Sequence, residues 1–284
     1  MKTLFKAAVV IAVVVAIAPS LAAQWPPHPT AGVPRTPDGK PDLNGRTPRT
    51  PDGKPDLSGI WQTPRNALGP VNAGQPAAGV PPPPPLPPDG IPIATFGNAG
   101  SGFKDGLPYQ PWAAELVKKR MEDNSKDNPD AHCLPMGFLQ FHNHPEPRKI
   151  IQTPGVILII YEANSGLRQI FTAGRALPDK DAEPWWYGYS IGKWEGDTLV
   201  VETTGFIDDM WLDVRGSPMT NAAKVTERFR RPDYGNLEIE ITVDDRKAYT
   251  KPWTVKVNQR IMPDTELIEF ICEERDATHY VGGK

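Results

Sequence analysis

Few of the features by which function is usually inferred occur in this sequence. Its 284 residues contain only two cysteines, and neither a phosphate-binding glycine loop nor a C-x-x-C pair occurs. The common nucleotide and redox motifs therefore find no support. Basic residues show no excess either, because the formal net charge is −3, and −5 once Lys2 and Lys6 are subtracted. This balance argues against a nucleic acid partner.

Long apolar runs are also scarce. The one clear run, residues 7–18, follows Lys2 and Lys6 and leads into small residues that end at Ala23. It is shorter than the roughly 20 apolar residues of a membrane helix, and the pattern is typical of a secretory signal peptide. We predict that residues 1–23 are removed and that the protein is exported to the periplasm or outside the cell, with no membrane span. An uncleaved N-terminal anchor is the alternative.

Cys133 and Cys272 would then lie in an oxidising compartment, where an even pair tends to join. We predict a disulfide that ties the start of the folded region to its last strand. Closing so long a loop stabilises by roughly 4 to 5 kcal/mol in the chain-entropy account. Two buried free thiols are the alternative.

Proline and glycine are abundant in residues 24–106, which we interpret as a linker with little core. The unit RTPDGKPDL occurs twice, from Arg35 and from Arg49, with a period of 14. We interpret the first copy as slack chain and the second as the true start, because a strand follows only there, near residues 59–63. The proline run from Pro81 predicts disorder or polyproline II. It would act as a spacer or, alternatively, bind an envelope partner.

The body of the protein is predicted over residues 107–284. After Pro111, apolar residues recur at helical spacing and predict one short helix over residues 112–123. Short β-rich runs broken by turn residues follow. With the first strand they make nine predicted strands, at residues 59–63, 155–162, 167–173, 186–194, 198–204, 224–231, 237–243, 253–261 and 266–272.

The spacing of these runs favours an antiparallel meander, closed as a barrel or sandwich, over a parallel sheet, because no helical pattern separates them. The clearest pair lies within residues 185–206, where two alternating runs meet at a Gly196-Asp197 turn. Alternation over residues 237–243 puts one strand face in the core and the other in water.

At Gly59-Ile60-Trp61 the chain resembles the opening strand of lipocalins and their calycin relatives, in which a basic residue covers the indole. Arg260 or Arg275 would take that part here. The likeness implies a barrel with a ligand-sized interior. The predicted fold class is all-β, an antiparallel up-and-down barrel of about eight or nine strands, with one short helix and a Pro-rich disordered N-terminal segment.

Longer motifs resemble an uncharacterised family of exported bacterial proteins. They are PDGKPDLSGIW from Pro51, GKWEGDTLVVETTGF from Gly192 and VTERFRR from Val225. The resemblance implies export and a β-rich body, and no settled activity.

A metal site is one candidate chemistry. His142, His144 and Glu146 lie two residues apart, so on an extended segment they would share one side and could converge on a divalent metal ion. A further ligand from elsewhere would be needed. Solvated loop histidines flanked by prolines are the alternative, and no other cofactor is expected.

Carboxylates near tryptophans are a second candidate. Glu195 and Asp197, beside Trp194, could supply the paired acid and base of a hydrolase or isomerase. Carboxylates in turns more commonly serve turn geometry in water.

A buried ion pair is predicted around Glu227. Glu227 and Phe229 share one strand face, and Arg228 lies on the other. An inward Glu227 needs a buried cation. The arginines available for it are Arg168, Arg175 and Arg215. A structural pair is favoured over an anion-recognising arginine in the cavity.

The function predicted from the sequence is binding of a small apolar or amphipathic ligand inside the barrel. The residues predicted to line the interior, its mouth or its binding surface are Tyr187, Tyr189, Trp194, Phe206, Trp211 and Arg228. An enzyme on the same barrel, working through the metal or the carboxylates, is the first alternative. A structural envelope protein with a filled barrel is the second.

Overall fold

A computed structural model describes residues 29–64, 88–179, 181–208, 210–270 and 272. The predicted signal peptide, Arg275 and most of the proline run lie outside this part of the chain. Within it, every helix is too short or too polar to cross a membrane.

In the described part of the chain, nine strands close into a barrel, and two further strands form a separate ribbon. The strands are β1 Gly59–Gln62, β2 Arg148–Gln152, β3 Val156–Tyr161, β4 Leu167–Phe171, β5 Tyr189–Glu195, β6 Thr198–Thr204, β7 Met210–Trp211, β8 Pro218–Met219, β9 Lys224–Arg230, β10 Asn236–Asp244 and β11 Trp253–Ile261. The order around the barrel is β1, β11, β10, β9, β6, β5, β4, β3, β2, and β7 pairs with β8 outside it.

Two α-helices accompany the strands, α1 at Pro111–Glu122 and α2 at Phe138–Asn143, together with 3₁₀ turns at Pro129–His132 and Ala163–Ser165. Helix α1 begins at Pro111 and confirms the predicted helix within one residue. Helix α2 was not predicted, because six residues are too few to show a helical period. All six of its side chains are buried, which places α2 inside the protein.

The alternating strands form the barrel wall because one face of each is apolar. On β10, Leu237 and Ile239 are fully buried, whereas Glu238 points outward and pairs with Arg230 at 2.7 Å. The prediction for residues 237–243 is thereby confirmed, as is the closed all-β barrel.

Eight of the nine predicted strands are present, and one is wrong. Residues 266–270 form no strand, and β2 and the short ribbon strands β7 and β8 were missed. The physical reason is closure, because β1 pairs with both β2 and β11 and leaves no free barrel edge for a C-terminal strand.

One barrel pair is also not antiparallel as predicted. β4 and β5 run parallel, and their pairing covers only Ile170 with Ser190 and Phe171 with Ile191. Because the two strands run parallel, the chain must cross from one end of the barrel to the other between Phe171 and Tyr189, and β5 starts at the same end as β4. A parallel pair needs such a long crossover, whereas a hairpin does not.

The duplicated unit differs from its interpretation as slack chain followed by a true start. Both copies fold into the same tight loop, because Arg35 Nη1 donates to the carbonyl of Gly39 at 3.0 Å and Arg49 Nη1 donates to that of Gly53 at 2.8 Å. The first copy also packs on the barrel, where the β9–β10 turn donates an N–H to the carbonyl of Leu43 at 2.8 Å. The slack interpretation of the first copy is therefore wrong.

Trp61 is fully buried and is covered by an arginine, but not by the residue predicted. Arg231 lies over its ring at 4.9 Å, and the indole N–H donates to the carbonyl of Leu57 at 3.0 Å. Arg260 is instead exposed near the end of β11, opposite Gln62. The expectation that Arg260 covers the indole is therefore wrong.

The predicted disulfide is confirmed. Cys133 and Cys272 are bonded, with their Cα atoms 5.6 Å apart. Cys272 follows the irregular segment that leaves β11, where Glu266 bonds Lys149 at 2.6 Å and the N–H of Ile268 donates to Glu162 at 3.0 Å. The disulfide therefore fastens this segment across the outside of β2 and β3.

Candidate functional site

A buried ion pair crosses the barrel interior between β4 and β9. The guanidinium of Arg168 donates from Nη1 to Glu227 Oε1 at 2.9 Å and from Nη2 to Oε2. Both side chains are at most 1% exposed. Strand alternation puts them there, since each lies two residues from a buried apolar neighbour, Ile170 and Phe229 respectively. Of the three arginines considered from the sequence, Arg168 is the partner.

Two hydroxyls complete the hydrogen bonding of Arg168. Its Nη2 donates to Ser190 Oγ and to Thr203 Oγ1, each at 3.1 Å, and these two oxygens lie 2.9 Å apart. Burial raises the pKa of the neighbouring Tyr161 to about 12, so that phenol stays protonated at neutral pH. All three guanidinium nitrogens of Arg168 and both carboxylate oxygens of Glu227 have hydrogen-bond partners, which makes a buried charge pair tolerable.

His142 joins this network from helix α2. Its Nε2 lies 2.8 Å from Glu227 Oε1, and burial lowers the imidazole pKa below its ordinary value. Burial raises the pKa of Glu227, but Arg168 and His142 outweigh that effect and bring it to about 2. The consistent assignment is a neutral imidazole that donates from Nε2 to an ionised Glu227. We call Arg168, Glu227, His142, Ser190 and Thr203 the ion network.

Helix α2 is held at its C-terminal end by a second buried arginine. Arg148 donates to the carbonyls of His142, His144 and Glu146, the last two at 2.9 and 3.1 Å. The carbonyls of His142 and of the C-cap residue His144 lie at the negative end of the helix dipole, so a cation is stabilised there. Burial lowers the pKa of Arg148 to about 10, and the side chain remains charged at neutral pH. Arg148 thus fixes the plug that α2 forms in the barrel.

A pocket opens in the barrel wall where β4 and β5 diverge. Its volume is about 310 Å³, and it is lined by residues 167–169 of β4, by residues 184–188 ahead of β5 and by Pro135. The parallel pairing stops at Ile170 and Ser190, so the two chains separate before these residues. We call this gap the seam and the cavity the seam pocket.

The rim of the seam pocket carries exposed apolar side chains. Leu167 is 51% exposed, Trp185 40%, and Leu134, next to Pro135, 46%. Large apolar groups exposed together mark binding surfaces more often than single ones do. Tyr187 closes the inner wall, beneath Gly166, where a Cβ atom would lie 2.9 Å from the tyrosine hydroxyl.

The predicted ligand-binding residues are separated by the structure. Tyr187 lines the seam pocket, and Trp194 lies opposite buried Leu199. Tyr189 stacks on Phe171 at 5.0 Å on the outer side of the wall. The remaining three lie elsewhere: Phe206 and Trp211 are buried in the core, and Arg228 is outside the barrel.

Glu195 and Asp197 have different arginine partners, so the structure does not bring them together in one site. Glu195 accepts from Arg228 at 3.2 Å, and Asp197 accepts from Arg49 at 2.6 Å, with all four side chains substantially exposed. Arg49 lowers the pKa of Asp197, which disfavours its use as a proton donor. Each carboxylate instead joins a surface ion pair.

The predicted metal ligands also face different partners. His142 is helical rather than extended and contacts Glu227, whereas His144 Nδ1 lies 2.5 Å from Glu146 Oε2. Among the described residues, no three His, Cys, Asp or Glu side chains are grouped as metal ligands. The extended geometry on which that hypothesis rested is absent at His142.

The seam pocket was not predicted from the sequence. Its signal is the stretch between β4 and β5, which contains Pro178 and Pro184 and is too long for a hairpin loop. The chain is therefore a closed barrel with one parallel seam, an internal ion network and a pocket at that seam. It matches no family model, no curated protein and no solved structure in the comparisons made.

Proposed function

We propose that this protein is an exported barrel that binds a small apolar or amphipathic molecule in the seam pocket. The observation that carries the proposal is the pocket of about 310 Å³ rimmed by exposed Leu167 and Trp185. A volume of this size lies at the lower end of the range for ligand sites, which are mostly apolar with a few polar groups.

The proposal moves the ligand from the barrel interior to the wall. The ion network and apolar side chains such as Ile239 and Phe229 occupy inward positions, and α2 lies fully buried beside them. Export is supported by the pattern of residues 1–23, which is typical of a signal peptide. It is also supported by the disulfide, because disulfides persist in the oxidising compartments that exported proteins enter. Arg231 over Trp61 supports the calycin likeness, and the long motifs support membership of the exported bacterial family.

The test is a titration with the fluorescent probe 1-anilinonaphthalene-8-sulfonate, which is apolar at one end and charged at the other. We expect one saturable site in the natural protein, and roughly tenfold weaker binding in Trp185→Ala and in Leu167→Ser, since each removes apolar contact area. Trp112→Ala is the matched control, because Trp112 is 46% exposed on α1 and should leave the affinity unchanged. Equal affinity in all four proteins would exclude the seam pocket as the site.

A structural protein with a filled barrel is the second candidate, favoured by the occupied inward positions. It predicts that the natural protein binds the probe weakly and without saturation. Unfolding midpoints of the four proteins, measured in urea, would show that any loss of binding does not come from loss of fold.

A further inference from the structure

The two edges of β4 can be assigned from the hydrogen bonds at its ends. Tyr161 N–H donates to Gly166 at 2.8 Å and Thr172 N–H donates to Gly155 at 3.0 Å. Both pairs continue the β3–β4 register, so they are hydrogen-bonded pairs of the antiparallel ladder. Because such pairs alternate along the ladder, Arg168 and Ile170 bond to β3.

The main-chain N–H and carbonyl groups of Leu167, Gln169 and Phe171 therefore face the opposite edge of β4, toward β5. The N–H and carbonyl of Phe171 and the carbonyl of Gln169 lie where β4 pairs with β5, at Ser190 and Ile191. Further back the chains have diverged, and Gly188 N–H instead donates to Trp185 at 3.2 Å. Three groups then point into the seam without a partner among the described residues: the N–H and carbonyl of Leu167 and the N–H of Gln169.

We infer that the ligand of the seam pocket is a short extended peptide that adds to this edge of β4, an inference that rests on the proposed function. An extended chain presents alternating N–H and carbonyl groups at the spacing of a strand edge. One guest residue, running antiparallel to β4, can exchange both of its hydrogen bonds with Leu167. The carbonyl two residues before it in the guest, which is the acetyl carbonyl of a capped peptide when the second residue pairs with Leu167, can accept from Gln169 N–H. Strand addition of this kind supplies affinity through the main chain and selectivity through alternate side chains.

The surroundings define which peptide fits. A guest side chain that points outward meets Leu167, Trp185 and Pro135, so a bulky apolar or aromatic residue is preferred there. Arg168, the charged residue of the lining, already donates to Glu227, Ser190 and Thr203. A free carboxylate therefore finds no unsatisfied cation at the seam, and the guest is an internal peptide segment rather than a chain terminus.

The first test is amide hydrogen exchange of the free protein, resolved by residue. We expect Gln169 N–H to exchange at least tenfold faster than Ile170 N–H, although they are neighbours on one strand. The capped tripeptide Ac-Leu-Trp-Leu-NH₂ should slow Gln169 and Leu167 and leave Ile170 unchanged. Equal protection of Gln169 and Ile170 without peptide would overturn the inference, because the edge would then already be paired.

The second test compares this tripeptide with an analogue in which an ester replaces the amide at Trp, and so removes one N–H. We expect the ester to bind roughly three- to tenfold more weakly, the value of one hydrogen bond. Gln169→Pro removes the N–H that faces the seam and leaves the hydrogen bonds between β4 and β3 in place. The variant should therefore fold, and its affinity for the tripeptide should fall by a similar factor.

The outcomes separate the two proposals. If the fluorescent probe binds at the seam but the ester and amide bind equally, the pocket stands and the peptide inference fails. If neither probe nor tripeptide is affected by Trp185→Ala, the proposed function itself fails. Weaker binding of the ester together with seam-dependent binding of the probe supports both.

Discussion

Replacing Glu227 by glutamine is expected to destabilise the barrel by about 3 to 5 kcal/mol, because it leaves Arg168 as a buried cation without a counter-charge. The side chains are nearly the same size, so packing changes little. Glu227 is fully buried and accepts from both Arg168 and His142. The substitution therefore removes charge rather than volume.

The acid sensitivity of the natural protein gives an independent magnitude. The pKa of Glu227 falls from 4.5 to about 2 on folding, which corresponds to about 3 kcal/mol of stability at neutral pH. Because the folded pKa is depressed, this contribution is fully present above pH 4.5 and is lost as the pH falls toward 2. In Glu227→Gln that part of the pH dependence should be absent.

The assay is equilibrium unfolding in urea between pH 2 and 7, with the disulfide intact. Glu238→Gln is the matched control, because Glu238 pairs with Arg230 on the outer face of the wall and should cost less than about 1 kcal/mol. The double variant Arg168→Met with Glu227→Leu should be more stable than Glu227→Leu alone, since no unpaired charge remains. The double variant should remain less stable than the natural protein, because His142 loses its hydrogen-bond acceptor.

The reasoning would be refuted by a Glu227→Gln protein as stable at pH 7 as Glu238→Gln. It would equally be refuted if the natural protein and Glu227→Gln lost stability in parallel below pH 4.5. Either result would mean that Glu227 is not the ionised partner of Arg168.

Three further predictions concern packing at Gly188, the contact of Arg231 with Trp61, and the disulfide. Gly188→Ala should destabilise by about 2 to 4 kcal/mol, because its φ is +64° and the new Cβ would lie 2.6 Å from Thr203 Cγ2. Gly205→Ala, at φ +71° with Pro178 Cγ at an ordinary contact distance of 3.8 Å, should show only the cost of the backbone conformation in the same urea assay. Arg231→Lys should lower stability by about 2 kcal/mol and change Trp61 fluorescence, since a lysine keeps the charge but loses the planar contact with the indole; an unaltered emission spectrum would contradict this. Reducing the Cys133–Cys272 bond, which spans 139 residues, should lower stability by up to about 5 kcal/mol, measured by urea unfolding with and without reductant, and an unchanged midpoint would show that the bond does not constrain the unfolded chain.

The barrel wall could be predicted from the sequence because its signal is local. Alternation over residues 237–243 is visible without any partner strand, and the same period turns Glu227 inward. An inward carboxylate requires a cation, so the ion pair with Arg168 was among the three possibilities that the sequence left. Choosing between these arginines required knowing that β4 and β9 face each other across the barrel interior, with Arg168 opposite Glu227.

The seam could not be predicted in the same way, because it depends on direction rather than on period. A strand pattern at residues 189–195 is identical whether the strand pairs parallel or antiparallel with β4. Short elements were also missed when burial rather than periodicity maintains them, as in α2, or when a polar start hides the pattern, as at Arg148 and Lys149 in β2. The first repeat copy was misinterpreted because its order comes from docking on the β9–β10 turn.

The position of β1 has a consequence for biosynthesis. This strand is made early, yet it lies between β2 and β11, and β11 is made last of the barrel strands. Residues 63–147 alone separate β1 from its nearer partner, so ring closure pays the entropy of a long loop and is slow. Until β11 leaves the ribosome, β1 has no neighbour on one side, and the nascent chain must keep that edge from pairing elsewhere.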